Sequence, residues 1–310
     1  MRADLHVHTR ASSQSGSLRF LRSRDCYSSP FDVYRTARAR GMDVVTFTDH
    51  DSLDGCLAFL NRYPDSTDFI CAEEVSCRFP DGDIEVHLGV YGMTEALHRD
   101  LQPLRGNVFD VIACLRQADA FFALNHLLHF YRGQAPLEAY LQLLSLMPAL
   151  EVRNGAMLAS HNAFIEQYAG APPGWIPIGG SDAHTLRRVG RTWTEVFGAT
   201  DAEGFLRGLR AGRCRPGGIS GSVFAISGDV YGVVARYIAS LAGIGPSDHR
   251  GLDRLACLAF SLGSVPFQFT PLLVAVIGKL KEQATVNTVR AQVAVQPSHP
   301  AVNLPAHQAD

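Results

Sequence analysis

Short apolar or β-branched runs recur from the first residues to about Gly221, and amphipathic segments fill the spaces between them. This alternation is the strongest constraint on the fold, because strands separated by helical crossovers pair in parallel, so it predicts an α/β domain on a parallel sheet. Runs with strand character lie at 3–7, 43–48 (DVVTFT), 69–75 (FICAEEV), 85–91 (EVHLGVY), 121–124, 150–153, 176–179 and 194–197. In PFDVYRTARARG, Val33, Ala37 and Ala39 follow helical spacing, and Gly41 suits the position just past a helix end.

After Gly221 the pattern changes. Long apolar stretches poor in histidine and acid follow, so the chain divides into an α/β unit over 1–221, an apolar helical extension over 222–290 and a Pro-rich, disordered tail over 291–310. Residues 255–278 carry no charge and are long enough to cross a bilayer. Ser261, Ser264, Pro266, Gln268, Thr270 and Pro271 interrupt them, which favours a packed or interfacial helical hairpin and leaves protein or membrane-surface contact through 222–290 open.

With 28 Lys+Arg against 30 Asp+Glu and no basic stripe, no large nucleic acid is expected as a partner. The 7 cysteines form no C-x-x-C pair, which suits reduced thiols. Met1 leads within a few residues to DLHVHT, leaving no room for a signal peptide, and the expectation is a cytoplasmic protein.

Polar residues gather where the apolar runs end, the place where α/β barrels and open parallel sheets carry their chemistry. In ADLHVHT, His6 and His8 alternate with Leu5 and Val7, so a strand would turn both imidazoles to one side. Alone, such a pair is equally well a solvated strand edge. TDHD sets Asp49 and His50 at the end of the next run, although Asp51 or Ser52 could simply cap a following helix. Glu73 and Glu74 are neighbours in one strand and face opposite ways, so only one enters a site; Glu74 is the choice here, and the swap stays open. His87 is a lone strand histidine that a core would also explain. His126, with His129 three residues on, follows an apolar strand in FFALNHLLHF. IPIGGSDAHT pairs Asp182 with His184 behind two glycines that permit close backbone approach. One mononuclear site needs only about four donors. The supply of His6, His8, His50, Glu74, His87, His126, Asp182 and His184 suits several ions and a bridging carboxylate.

In this order, DLHVHT, TDHD, EVS, VHLGVY, NH and GGSDAH resemble the PHP (polymerase and histidinol phosphatase) family of metal-dependent phosphoesterases, over roughly the first 190 residues. The resemblance implies a distorted (β/α)7 TIM-like barrel with two or three divalent ions (zinc, manganese or iron) at the carboxyl ends of its strands. It implies that His6, His8, Glu74 and Asp182 hold one ion, that Glu74 bridges to a second held by His87 and His126, and that His50 and His184 hold a third. Some members supply a further donor soon after the first histidine pair, where this chain reads RASSQSGS without His or Asp.

The implied reaction is hydrolysis of a small phosphorylated substrate, a monoester or a nucleotide, by metal-activated hydroxide. Asp49, Glu74 and Asp182 are the candidate catalytic acids, with Asp49 alternatively supporting a ligand. Arg191, Asn154 and His129 are the candidate substrate contacts. Asn154 could equally cap the next helix. Two rivals are an amidohydrolase-like reaction at a carbonyl and a non-catalytic, metal-stabilised module that recruits a partner through 222–290.

Overall fold

The computed structural model describes residues 1–12, 22–80, 84–128, 137–170, 174–263 and 269–295. It opens on a two-residue strand, β1 (Arg2–Ala3), followed after the first loop by α1 (Pro30–Ala39). Ser29 caps α1 by accepting from the Asp32 amide, Val33 and Ala37 are buried, and Gly41 takes a φ of 81° just past the end, the left-handed geometry glycine adopts without penalty. Next come β2 (Val45–Phe47), α2 (Asp54–Arg62), β3 (Phe69–Arg78), β4 (Glu85–Tyr91), α3 (Glu95–Leu101), α4 (Val108–Gln117), β5 (Phe121–Leu124), α5 (Leu137–Ser145), β6 (Ala149–Asn154), α6 (Ala159–Ala169) and β7 (Ile176–Gly180).

Strands β2 to β7 lie side by side in chain order as one curled six-stranded sheet. The N-terminal chain closes the curl. Thr48 N donates to Val7 O at 2.9 Å on one side, while His8 N donates to Ala183 O at 3.1 Å and Asp182 N to His6 O at 2.7 Å on the other. The fold is a distorted TIM-like barrel with a C-terminal helical extension.

Two expectations about the strands need correction. The sheet is mixed: β4 runs antiparallel to both β3 and β5, because β3 returns directly into β4 without a helix. The first run is a regular strand only over Arg2–Ala3, and the chain bends at His6. Buried Asp4 accounts for the bend, since its carboxylate accepts from Ser181 N at 2.8 Å, Gly190 N at 2.7 Å and His6 N at 3.3 Å and so competes with ladder pairing.

One buried cluster, with Ala3, Leu5, Ile70, Ala72, Tyr91, Phe121, Ala149 and Ile178, joins side chains from successive strands to Phe205 and Leu209 of α7 (Ala202–Arg210). It fills one end of the barrel and leaves the other for polar groups. A second, around Leu88, Val90, Leu115, Phe122 and Leu150, seats α4 and its neighbours on the sheet. Strand β8 (Thr192–Val196) pairs with β1 on one side and with β9 (Cys214–Gly218) on the other in a separate antiparallel sheet; β9 was not foreseen in the sequence.

The extension consists of α8 (Val223–Leu241), α9 (Gly251–Gly263) and α10 (Thr270–Val295). Helix α10 thus carries the chain five residues past the expected domain edge at 290, and residues 296–310 lie outside the described residues. Among the described residues no helix is long and apolar enough to cross a membrane. The extension is tied to the barrel by polar contacts. Lys279 Nζ donates to Ala156 O at 2.8 Å, and Glu282 Oε1 accepts from Leu158 N at 2.9 Å and lies 3.1 Å from His161 Nδ1. Asp229 of α8 accepts from Thr185 Oγ1 at 2.8 Å and lies 3.5 Å from Arg188 Nε. All seven cysteines are free thiols.

Candidate metal centre

Glu74 stands at the middle of a group of imidazoles contributed by separate strands. On β3, Ile70, Ala72 and Glu74 share one face, and Ile70 and Ala72 belong to the cluster that fills the barrel end, so alternation carries Glu74 into the same interior. Its Oε1 lies 3.2 Å from His6 Nε2, 3.3 Å from His87 Nδ1 and 3.2 Å from His126 Nε2, and accepts from Asn125 Nδ2 at 2.8 Å. Its Oε2 lies 3.1 Å from His50 Nδ1 and 3.5 Å from His8 Nε2. Glu73 points away, with Oε2 2.7 Å from His98 Nδ1.

Asp182 is the second focus. Its Oδ1 lies 3.6 Å from His6 Nε2, 3.5 Å from His8 Nε2 and 3.6 Å from His184 Nδ1. Asp182 (φ 50°) and His126 (φ 27°) both adopt left-handed backbone, a cost that non-glycine residues bear mainly where function over-determines the geometry. Gly180 makes the approach of His6 feasible, because a Cβ there would come within 2.3 Å of His6 Cβ and 2.4 Å of its amide nitrogen.

All eight expected donors are therefore brought together. The sequence reading overlooked three more residues. Asp25 joins His8, His50 and His184, with donor atoms all within 4.8 Å of one another. Its Oδ2 is 3.6 Å from His50 Nε2 and 3.9 Å from His184 Nε2. Asp25 is the sole acid between Thr9 and Ser29, and that isolation was the available signal. Glu151 fixes the far side of His6, with Oε1 2.9 Å from Nδ1, and its Oε2 accepts from the His126 amide at 2.8 Å. Asn125 is the third. Glu85 takes a comparable position behind His87, at 3.3 Å from Nε2, so each ring is oriented through the nitrogen turned from Glu74.

The remaining expected residues lie at the margin. Buried Asp49 faces away from Glu74, with Oδ1 accepting from Thr9 N at 2.6 Å and Oδ2 from Thr9 Oγ1 at 2.7 Å. Ser12, beside Asp49, also accepts from the His50 amide at 3.0 Å. Asp51 accepts from Ser76 N and does not cap α2. Asn154 does not cap α6; its Nδ2 donates to Glu151 Oε2 at 2.8 Å and Asp182 Oδ2 at 3.3 Å. Arg191 is exposed, with Nε on the Arg187 carbonyl at 2.8 Å, whereas Arg188 is the buried arginine nearby. His129 lies outside the described residues.

The electrostatics follow from crowding. Burial alone would raise Glu74 and Asp182, but the charges of His6 and its neighbours outweigh it and hold both well below the usual carboxylate range. Burial presses His8 down and His50 well below the ordinary imidazole value, leaving lone pairs for an electrophile. His87, despite burial, is pushed up to about 9 by Glu74. His6 Nε2, His8 Nε2, Glu74 Oε2 and Asp25 Oδ1 are buried without a hydrogen-bond partner. Such orphaned donor atoms, with imidazole and carboxylate facing one another, fit divalent cations.

The family profile described as PHP-associated (PHP_C) matches residues 174–214, the stretch that runs through β7, Asp182, His184, β8 and α7 to the start of β9. Over that stretch the chain is similar to the PHP-associated family. The uncharacterized protein MJ1587 of Methanocaldococcus jannaschii is 36% identical over 55 residues, 18% of this chain and 32% of that protein, so the match spans about a third of that relative. PsfC from Pseudomonas syringae PB-5123 superposes with a TM-score of 0.50 at 17% identity, covering 76% of this chain and 97% of that one. The lesion-specific endonuclease PfuEndoQ from Pyrococcus furiosus gives a TM-score of 0.44 at 18% identity, covering 68% of this chain and 56% of that one. The likeness to PsfC is one of fold.

Proposed function

We propose that this chain is a metal-dependent phosphoesterase of the PHP family acting on a small phosphate monoester or a nucleotide. The observation that supports it most is Glu74, whose two oxygens together approach five imidazoles, the arrangement a carboxylate needs to bridge two cations. In this reading His6, His8, Glu74 and Asp182 hold one divalent ion, Glu74, His87 and His126 a second, and Asp25, His50 and His184 a third. The RASSQSGS stretch supplies no donor, and Asp25 would do so from beyond it. When bound, such ions supply a nucleophile from water at neutral pH and clamp the phosphoryl oxygens of an in-line displacement.

The chain's own residues set the geometry. Glu151 and Glu85 orient His6 and His87, Asn125 fixes Glu74, and Asn154 holds Asp182 against Glu151. Asp49 anchors the Thr9–Ser12 turn and through it the backbone of His50, which makes it a positioning residue. Arg191 is the exposed cation offered to a phosphate. The charge balance speaks against long duplex tracks only, since the end of a polynucleotide presents the same phosphoester chemistry as a nucleotide. On the extension, Phe224 (85% exposed), Leu252 (83%) and Ile244 (72%) support an additional protein or membrane-surface contact.

The test is metal content per chain by elemental mass spectrometry, with phosphate release from a panel of monoesters, nucleotides and 5′-phosphorylated oligonucleotides on the same sample. Two or three ions with turnover are expected. No bound metal after reconstitution would refute the centre, and a fully loaded chain inert towards every phosphoester would shift the reading to a carbonyl substrate.

A further inference from the structure

We propose that the C-terminal extension completes the third donor group, with Asp248 acting through Arg24 to position Asp25; this rests on the metal-dependent reading above. Asp25 sits on an irregular segment between the first loop and α1, where no helix or strand fixes its carboxylate. Oδ1 is buried without a hydrogen-bond partner, and Oδ2 faces His50 and His184 at 3.6 and 3.9 Å. Among the described residues none donates a hydrogen bond to Asp25 Oδ1, so its aim depends on the backbone that carries it.

That backbone is gripped from the extension. Asp248, in the connection between α8 and α9, accepts a two-pronged bond from the preceding residue's guanidinium, at 2.6 Å from Arg24 Nε and 2.8 Å from Nη2. Paired, planar contacts of this kind fix direction as well as distance. The same guanidinium reaches the Arg10 carbonyl through Nη1, linking the turn after His8 to Asp248. On the other side of Asp25, Tyr27 packs with Tyr237, Leu241 and Cys257, and its hydroxyl accepts from Arg24 N at 3.0 Å. Asp25 thus lies between Arg24, which is bonded to the α8–α9 connection, and Tyr27, which packs on α8 and α9. The extension, which carries none of the eight donors named by motif, reaches Asp25 through the Arg24–Asp248 ion pair and the packing of Tyr27.

The experiment titrates Mn2+ and Zn2+ into ion-free full-length protein and reads the affinity of each successive equivalent, for wild type, Asp248→Ala, Asp248→Glu and Asp25→Asn. Circular dichroism and the thermal midpoint check folding. Changing a group that orients a ligand typically weakens metal binding 10–100-fold. Asp248→Ala should therefore weaken the last equivalent roughly 10–100-fold, leave the earlier ones within twofold, and match Asp25→Asn; Asp248→Glu should recover much of the loss. Asp25→Asn losing the last equivalent while Asp248→Ala keeps it would overturn the proposal, as would loss of all equivalents together in Asp248→Ala. Wild type binding no metal would overturn the metal-dependent reading itself.

Discussion

Glu282 of α10 offers the sharpest test of whether the extension and the barrel are one cooperative structure. Its carboxylate is buried where α10 meets the loop after β6, accepting from Leu158 N and facing His161 Nδ1 and the Lys279 ammonium. Burial alone would raise its pKa, but the His161 hydrogen bond and Lys279 charge outweigh that and bring it from 4.5 down to about 2. At about 1.4 kcal/mol for each tenfold change in protonation, the difference corresponds to roughly 3 kcal/mol of folded-state stability. Because the folded value lies below the unfolded one, this contribution is complete above about pH 4.5 and is lost as pH falls towards 2.

Glu282→Gln keeps the shape, removes the charge and leaves Lys279 buried without its counter-ion, for which a loss of about 3–5 kcal/mol is typical. Urea unfolding at pH 7, followed by circular dichroism, should show a lower midpoint and a loss in that range. The variant's loss relative to wild type should shrink as pH is lowered below 4.5. A loss under about 1 kcal/mol, the level of an exposed pair, would refute the argument and mean that water reaches the pair.

Three further outcomes follow. Glu74→Gln should lose bound metal and reduce phosphate release on the order of 10²-fold or more, while Glu73→Gln keeps most of both; elemental analysis beside the assay decides, and the reverse result would mean the wrong glutamate faces the centre. Gly180→Ala forces a methyl group against the His6 backbone, so a stability loss of about 1–3 kcal/mol or more is expected in urea unfolding, and a neutral variant would contradict the close approach. EDTA should abolish activity and lower the thermal midpoint, with Mn2+ restoring both; activity that survives full chelation, confirmed by elemental analysis, would sink the metal-dependent reading.

Much of the centre was legible because its donors stand at ends of apolar runs, where period and motif coincide. Alternation established only that one of Glu73 and Glu74 enters the site, and it took the folded β3, regular there, to turn Glu74 inward and Glu73 towards His98. Asp25 escaped because its place depends on Asp248, far away in the chain and joined only by folding. Glu151 read as part of an apolar strand, and only its position behind His6 gives it a task. The straight first strand was misjudged because Asp4, a lone buried acid, redirects the local hydrogen bonds. Arg191 and Arg188 are indistinguishable by pattern, yet the second is the one buried beside Gly155 and Asp229.

The reversal of β4 changes which parts of this barrel are free to vary. With β3 entering parallel to β2 and β4 returning antiparallel, His87 reaches the donors from near the amino end of its strand. The carboxyl end of β3 at Arg78 and the amino end of β4 at Glu85 therefore lie on the same rim as the candidate metal centre. In a regular barrel that rim is furnished by loops that must each deliver the chain into a helix. Among the described residues the connection from β3 to β4 has no helix to feed, so changes in its length and composition need not disturb strand order.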